Sequence, residues 1–316
     1  MKNIVIMYAG DDWKKEIPIT NDGTRIAIQD WMIRAGKIRV NLYRASMKWY
    51  DLEKNVFTKA WFFKDGIWQR CENEIEPDMI YDKVLSKYDY SLLDFKLKIA
   101  QKTLLFNSPL FRATFNNKLS QYVMFGEFMP FSQIANNKKE FENSIAKSGS
   151  EKIVVKPLYG SGGFGIFIGG KKEALMEDYN FPVLVQEFIL SEKGIPGVSK
   201  NNEVADLRLV FQGGKLAYAL SRIAADGSLF TNLHQGATGK MIAGEDIPES
   251  ITEMAKKINS KISVFQNAQY SLDFIFDNSG RPYFIEMNTT PGIDLVTLLA
   301  DEKTKQENFE SISELL

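Results

Sequence analysis

The sequence predicts a chain of two or three subdomains that combine α/β and α+β folds. At 316 residues the chain can bury a sizeable core around one site. A buried-strand run, NIVIMYAG, opens the chain and is followed by amphipathic stretches, which indicates an α/β domain. After about Pro130, short apolar strands alternate with glycine turns and helices, which is typical of α+β architecture.

The first hundred residues predict a small α/β domain with a second short strand at DMIYDKV. The pattern LLDFKLKIA, ending at Ala100, suits a helix. We expect Pro109 in FNSPLF to break it and NKLSQYVMFGEF to resume helical spacing up to Pro130. The expected domain boundaries are 1–100, 101–182 and 183–316.

The remaining elements follow from apolar runs and turn residues. KIVVKP and IFIGG read as a hairpin, a short acidic helix follows at KKEALMED, and PVLVQEFI is a buried strand. The stretch from Leu190 to Ala205 is rich in turn formers and charge, so we expect an exposed loop. DLRLVFQGGKLAYALSRI predicts a hairpin turned at Gly213 and Gly214. The helix ESITEMAKKINSKISVF and a polar terminal helix after Ala300 complete the chain.

Composition excludes several classes of partner. Lys and Arg number 39 against 40 Asp and Glu, a net charge of -1, so no global field recruits nucleic acid or an anionic membrane. The single Cys71 cannot form an intramolecular disulfide, and Asp11 and Asp12 interrupt any signal-peptide core. No apolar run is long enough to span a bilayer. We therefore expect a soluble protein of a reducing cytoplasm, and the sequence leaves a homo-oligomer open.

An acidic hairpin near the C-terminus is the most informative feature. In YSLDFIFDNSGRPYFIEMNTTPG, apolar runs flank a turn signal, which predicts a β-hairpin. If the loop is the four residues Asn278–Arg281, Asp277 pairs with Pro282. The same register places Asp273 opposite Glu286, whereas a loop of odd length would separate them.

Facing carboxylates repel each other, and a cation removes that cost. Asp273, Glu286 and the amide of Asn288 share one face, and such hard oxygen ligands suit Mg²⁺ held with nucleotide phosphates. On this reasoning, replacing either carboxylate by its amide holds or slightly raises the stability of the metal-free protein. The alternative is a solvent-facing hairpin with ordinary surface acids.

A glycine loop, GSGGFG, lies between the first two central strands. The loop runs from Gly160 through Ser161, Gly162 and Gly163 to Gly165 and formally matches the dinucleotide fingerprint GxGxxG, but a strand follows where that fingerprint needs a helix. A glycine-rich turn whose backbone N–H groups approach phosphates is the better interpretation. Lys156 supports it, because a charge in an apolar run needs an anionic partner. The alternative is a flexible surface hairpin with an exposed lysine.

Two arginines and a small-residue loop form a third cluster. Arg208 alternates with leucines in one strand and Arg222 ends the next, so both could point into one cleft and stabilise a phosphoryl-transfer transition state. The loop FTNLHQGATG contains Asn232 and the only histidine, His234. A lone histidine is more often structural than catalytic, so Asn232 is the better phosphate or metal neighbour.

The order of these parts resembles the ATP-grasp fold, and most closely its RimK-like branch of ATP-dependent carboxylate–amine ligases. The resemblance covers roughly residues 100 to 296 and rests on NKLSQYVMF, VVKPLYGSGGFG, VQEFI, DLRL, SRIAADGSLFTNLHQGA and EMNTTPG. It implies an N-terminal pre-ATP-grasp domain followed by two subdomains that clamp ATP. The stretch between Glu187 and Asp206 is longer than the branch leads us to expect, and the first hundred residues match only loosely.

The resemblance also implies roles for individual residues. Lys118 and Lys156 would contact the phosphates, and Arg208 and Arg222 would stabilise an acylphosphate. The adenine and the rest of the nucleotide would lie along Glu187, Phe188, Ile189, Asp206, Thr231 and Asn232. The Mg²⁺ ligands would be Asp273, Glu286 and Asn288, and Mn²⁺ would be able to substitute for Mg²⁺.

The expected function is therefore ATP-dependent ligation of a carboxylate to an amine, with release of ADP and phosphate. The amine would belong to an amino acid, a peptide or a protein. One alternative is a phosphotransferase that passes the γ-phosphate to a hydroxyl, and another is a nucleotide-binding regulator without turnover.

Overall fold

The structure is a computed structural model, and it describes residues 1–85, 89–160, 162–199, 203–231, 236–265 and 267–315. Within these residues the strands form a six-stranded, a four-stranded and a five-stranded sheet, with one further two-stranded ribbon. No helix in the same ranges combines the length and the apolar character needed to cross a membrane.

The first domain is built on the six-stranded sheet. Its strands and those of the ribbon are β1 (Lys2–Tyr8), β2 (Val40–Ser46), β3 (Tyr50–Asp51), β4 (Val56–Phe57), β5 (Ala60–Lys64), β6 (Ile67–Cys71), β7 (Met79–Asp82) and β8 (Leu104–Phe106). The order is β6-β5-β2-β1-β7-β8, with β1 parallel to both β2 and β7. Helix α1 (Asp22–Lys37) connects β1 to β2, and the side chain of Asn21 caps it by accepting from the Thr24 N–H. The predicted strand at DMIYDKV is confirmed as β7, which pairs parallel with β1.

Three helices lead into the central sheet: α2 (Tyr90–Ala100), α3 (Pro109–Phe115) and α4 (Lys118–Phe125). The expectation that Pro109 breaks a helix is wrong. The chain leaves α2 at Ala100 and passes through β8, and Pro109 then begins α3 with Ser108 as its cap. Proline suits this first position because its missing N–H would have no partner there.

The central sheet contains β9 (Ser132–Ala135), β10 (Lys152–Pro157), β11 (Phe167–Gly170) and β12 (Val183–Glu187), and it packs against α5 (Lys138–Lys147) and α6 (Lys171–Ala174). The hairpin of KIVVKP with IFIGG is confirmed, since β10 pairs with β11 antiparallel. Alternate residues of β10 and β12 face the helices, where Ile153, Val155, Val183 and Val185 form a core with Phe141 and Ile145. Their neighbours, Lys156 and Gln186 among them, face the other side.

The C-terminal sheet contains β13 (Ala205–Gln212), β14 (Lys215–Ile223), β15 (Thr238–Ile242), β16 (Gln269–Phe276) and β17 (Pro282–Asn288), in the order β15-β14-β13-β16-β17. The helices are α7 (Glu249–Ile262), α8 (Asp294–Leu299) and α9 (Glu302–Ser313). The apolar face of α7 packs on Leu207, Leu209 and Leu272, which leaves the charged residues of the same strands on the opposite face. The hairpin turned at Gly213 and Gly214 is confirmed.

The terminal helix α9 packs against helix α1 near the beginning of the chain. Phe309 and Ile312 are buried in a cluster with Trp31 of α1. Arg34 of α1, which is 2% exposed, donates to the carboxylate of Glu302 at 2.8 Å. These contacts hold the chain end against the domain with which the sequence begins.

The acidic hairpin has the predicted strands but a different register at its turn. Phe276 pairs with Pro282, so Asp277 is part of a five-residue loop and the predicted Asp277–Pro282 pair is wrong. The register then shifts by one residue at Ile285, which opposes no residue of β16. Because this shift offsets the odd loop, Asp273 does face Glu286 as predicted.

Candidate functional site

A cavity of about 600 Å³ lies between the central and the C-terminal sheets. Its apolar lining includes Val154, Ile168 and Ile275, and its charged lining includes Lys156 and Arg222. Such a volume is ordinary for a site that binds a small molecule or a nucleotide. The charged faces of both sheets therefore meet at one cleft.

Lys156 is the most unusual charge in this cavity. Its side chain is 4% exposed, and its ammonium donates to Gln186 Oε1 at 2.8 Å. Among the described residues no carboxylate lies within ion-pair distance, 4.0 Å, of its nitrogen. Burial lowers the pKa of Lys156 to about 8, although Glu286 and Asp273 oppose that shift from a longer distance.

The glycine loop lies beside a second lysine. Gly160, Gly162 and Gly163 have φ values of 136°, 71° and 79°, which are strained for residues with a Cβ, so the glycines are needed for this turn. Lys118, the first residue of α4, donates from Nζ to the carbonyl of Gly160 at 3.0 Å. Its nitrogen also lies 3.9 Å from Glu286 Oε2, so it contacts both the loop and the acidic hairpin.

Two arginines and two aspartates form a buried ion-pair network. Arg208 donates from Nε and Nη2 to the two oxygens of Asp273 at 2.7 and 2.6 Å. Arg222 binds Asp206 in the same two-pronged way and also donates from Nη2 to Asp273 Oδ2 at 2.8 Å. Thr231 adds a hydroxyl donor to Asp206 Oδ2 at 2.5 Å. The four charged side chains are each at most 9% exposed.

This network favours the charged forms of Asp273 and Arg222, whereas burial raises the pKa of Asp206. Burial alone would raise the pKa of Asp273, but Arg208 and Arg222 outweigh it and the net shift is downward. Burial would likewise lower the pKa of Arg222, yet the carboxylates of Asp206 and Asp273 raise it above its ordinary value. The idea that Asp273 and Glu286 face each other uncompensated is therefore wrong, because arginines offset the charge of Asp273.

The two arginines do not have the same access to the cavity. Arg222 lines it, and among the described residues its Nη1 has no hydrogen-bond partner, whereas Nε and Nη2 are engaged. Arg208 does not line it and reaches it only through Asp273. The expectation that both point into one cleft is met by Arg222 alone.

The predicted metal ligands are brought together in part. Glu286 accepts no hydrogen bond from the described residues, whereas Asn288 Oδ1 accepts from the Thr290 N–H at 2.9 Å. Both line a small pocket next to the main cavity, together with Lys118. No cluster of three or more Asp, Glu, His or Cys side chains within the described ranges is placed to hold a metal ion. Two carboxylates and an amide oxygen still suit Mg²⁺, but Asp273 would share its oxygens with arginines.

The residues predicted for the adenine lie where β12 ends. Glu187, Phe188 and Ile189 all line the cavity, and Glu187 Oε1 accepts from the Gly149 N–H at 2.7 Å. The segment that follows also lines it, at Leu190, Ser191 and Glu192. Thus the unusually long connection contributes to the cavity wall. Ser161, Asn232 and His234 lie outside the described residues.

The sequence interpretation missed Gln186. This residue is 2% exposed, lines the cavity and accepts from Lys156. Its signal was present, because Gln186 is a polar residue in an apolar strand, the same signal by which Lys156 was chosen. Asp206, which the sequence predicts to lie along the nucleotide, lines the cavity, and both of its oxygens bind Arg222.

Sequence comparison identifies relatives of about half of the chain. A family described as the RimK-like ATP-grasp domain matches residues 125–306. A probable alpha-L-glutamate ligase of Hydrogenovibrio crunogenus is 27% identical over 175 residues, which are 54% of this chain and 52% of the relative. A probable alpha-L-glutamate ligase 2 of Pseudoalteromonas atlantica is 27% identical over 172 residues, 52% of each chain. The chain thus spans about half the length of the curated relatives it matches.

Structural comparison extends the likeness to the whole chain. The VanG D-Ala:D-Ser ligase from Enterococcus faecalis has a TM-score of 0.66 at 13% identity and covers 99% of both chains. A RiPP-associated ATP-grasp ligase of Chryseobacterium gregarium, solved with ADP and with a leader and core peptide, has a TM-score of 0.61 at 15% identity and covers 100% of this chain and 98% of its own. At such identities these likenesses show the fold alone, and that fold is ATP-grasp.

Proposed function

This chain belongs to the RimK-like ATP-grasp family, and from that premise we propose that it is an ATP-dependent carboxylate–amine ligase. One observation carries the proposal: a buried lysine, Lys156, lines a nucleotide-sized cavity without a carboxylate partner among the described residues. A buried charge without an ion-pair partner is stabilised when an anion enters the cavity. The phosphates of ATP are anions of the right kind.

The cavity has the mixed lining that a nucleotide requires. Phe188, Ile189 and Ile275 offer apolar surface to a base, while Lys156 and Arg222 offer cations to phosphates. The glycine loop follows β10 directly and is anchored by Lys118 through the Gly160 carbonyl. Its bare backbone can approach phosphate oxygens closely, and its movement would exclude water from the reacting groups.

The proposed reaction has two steps. An oxygen of the substrate carboxylate attacks the γ-phosphorus of ATP, the bond from that phosphorus to the β,γ-bridging oxygen breaks, and an acylphosphate and ADP form. An amine then attacks the acyl carbon, phosphate leaves, and the amine loses a proton as the amide forms. The protein aligns the reactants and offsets charge, so the reaction needs no covalent nucleophile.

The structure suggests a division of work between the cations. Lys118 and Lys156 would hold the phosphates. The Nη1 of Arg222, which has no partner among the described residues, would meet charge that develops on the transferred phosphoryl group. Arg208 would act through Asp273, which it holds by two hydrogen bonds. Glu286, Asn288 and Asp273 would hold Mg²⁺, which supplies further positive charge to the phosphates when bound.

The test is product analysis with purified protein. Pools of amino acids and peptides are screened with Mg-ATP for ADP release, and positive pools are analysed for a new amide by mass spectrometry. Hydroxylamine in place of the amine should trap the activated carboxylate as a hydroxamate. Recovery of the γ-phosphate on a substrate hydroxyl would instead show a phosphotransferase, and nucleotide binding without ADP release in any pool would favour a regulator.

A further inference from the structure

Among the described residues, the Lys156 ammonium donates its one side-chain hydrogen bond to an amide oxygen. Gln186 Oε1 lies 2.8 Å from Nζ, and both side chains are nearly inaccessible, at 2% and 4% exposure. The two residues share the cavity-facing side of the central sheet, because Lys156 is opposite Leu184 and Gln186 is the next residue but one along β12. A neutral acceptor thus occupies a position where a carboxylate would fit.

The amide of Gln186 is held in one orientation by a chain of hydrogen bonds. The Ser132 hydroxyl donates to the carbonyl of Pro130 at 2.8 Å, so its oxygen is left to accept. Gln186 Nε2 donates to that oxygen at 2.9 Å, across the register pair that joins β12 to β9. With its nitrogen committed in this way, Gln186 turns its oxygen towards Lys156.

We propose that Gln186 is a positioning residue for phosphate binding: it orients the Lys156 ammonium in the cavity and leaves its charge uncompensated, so that the nucleotide supplies the missing anion. The inference rests on the proposed function and goes beyond it by assigning a role to a residue that does not itself carry charge. An amide dipole lowers the cost of burying the ammonium without cancelling the charge.

A glutamate at this position would act in the opposite way. It has nearly the same shape as glutamine and would form a buried ion pair with Lys156, so the lysine would no longer need an external anion. Its negative charge would also repel phosphate. The substitution therefore changes the charge of the pair while it preserves the size of the side chain.

The experiment compares the affinity for ATP with that for adenosine, which lacks phosphates, by isothermal titration at pH 7. We expect Gln186→Glu to weaken ATP binding by about tenfold or more, on the scale of one charge-assisted hydrogen bond. Adenosine affinity should change by no more than about twofold, since the lysine does not serve the base. Gln186→Met, which removes the acceptor without adding charge, should weaken ATP binding by less than Gln186→Glu.

The matched control is Gln212→Glu. Gln212 is also a buried glutamine, at 4% exposure, but it binds Asn308 and Ser311 on α9 and does not line the cavity. The Gln212→Glu variant measures the loss of stability that a buried carboxylate causes away from the phosphate site. Its affinity for ATP should therefore equal that of the wild type. Circular dichroism and thermal melting establish that each variant is folded.

The pH profile separates positioning from general damage. Wild-type affinity for ATP should fall as pH rises through about 8, where the Lys156 ammonium deprotonates. The groups that face this ammonium are Lys118, Glu286 and Asp273. In Gln186→Glu a new carboxylate holds the lysine charged, so the fall should move to higher pH.

Three results would overturn the inference. The first is a Gln186→Glu protein that binds ATP as tightly as the wild type. The second is equal weakening of ATP and adenosine, which would indicate a merely structural role. The third applies if Gln186→Glu does not fold: the test then rests on Gln186→Met, and an unchanged affinity of that variant for ATP would overturn the inference. A wild-type protein that binds no ATP would refute the proposed function itself.

Discussion

Replacing Asp273 by asparagine tests the ion-pair network directly. The carboxylate is 2% exposed and accepts from Arg208 at 2.7 and 2.6 Å and from Arg222 at 2.8 Å. Asparagine has the same shape but no charge, and its NH₂ group would face one arginine. Arg222 would keep the carboxylate of Asp206, whereas Arg208 would lose the one carboxylate that it contacts among the described residues. We therefore expect Asp273→Asn to destabilise the protein, contrary to the expectation drawn from the facing carboxylates.

The structure sets the size of the effect. Removing one partner of a buried ion pair costs about 3–5 kcal/mol, because the other charge stays buried without compensation. Asparagine keeps one acceptor oxygen, so the lower end applies, about 3 kcal/mol. For a chain of this length such a loss lowers the melting temperature by about 5 °C.

The assay is thermal and urea unfolding at pH 7 without nucleotide or Mg²⁺. The matched control is Glu286→Gln, because Glu286 faces Asp273 but accepts no hydrogen bond from the described residues. We expect this variant to lie within about 0.5 kcal/mol of the wild type. A second test combines Asp273→Asn with Arg208→Met, and the double variant should lose less than the sum of the two single losses. If the melting temperature of Asp273→Asn equalled that of the wild type, the ion-pair network would be absent from the folded protein.

Three further predictions concern the proposed site. Mg-ATP at a hundred times its Kd should stabilise the fold by about 2.7 kcal/mol, so a folded protein whose melting temperature does not respond to millimolar Mg-ATP would contradict nucleotide binding. The pKa of Lys156 is about 8 and not 10.5. Lys156→Arg should therefore abolish the loss of ATP affinity between pH 7 and 9, as measured by calorimetric titration. The wild type without nucleotide should also gain stability as pH rises above 8, as measured by thermal melting, because the unfolded chain then binds more protons than the folded one. A flat wild-type affinity profile would remove Lys156 from the phosphate site. Arg222→Ala should lower kcat about 10²-fold with little change in the KM for ATP, and a change in KM alone would assign Arg222 to nucleotide binding and not to the transferred phosphoryl group.

The secondary structure was largely predictable because it depends on local patterns. The strands of KIVVKP, PVLVQEF and DLRLVFQ are short apolar runs bounded by turn residues, and each is a strand in the structure. Pro109 was misjudged because a proline either ends a helix or begins one, and the choice depends on the cap that precedes it. The docking of α9 on α1 had no local signal, since it depends on how Phe309 meets Trp31 across the fold.

The site was predictable in its residue types but less so in its partners. A charged residue within an apolar strand or hairpin indicates a functional site, because burying a charge without a function is costly. The structure brings two such residues, Lys156 and Asp273, to one cavity. Their partners are far away in sequence: Gln186 is 30 residues from Lys156, and Arg208 is 65 from Asp273. Which charge compensates which is therefore a property of strand order.

Strand register decides which charged residues of the C-terminal sheet face one another, and two single-residue shifts set that register. A two-residue turn at Gly213 and Gly214 would place Asp206 opposite Ser221, but the shift near Val210 moves the pairing so that Asp206 faces Arg222. In the acidic hairpin the shift at Ile285 likewise restores Glu286 to the position opposite Asp273. Since a slip of one residue turns a side chain to the other face of a sheet, each shift determines whether a charge meets the cavity or the apolar core. In β17 the sequence does carry a trace of the shift, because Phe284 and Met287 both lie in the apolar core although they are three residues apart. The irregular positions of this sheet thus place the charges that the regular pattern alone would have separated.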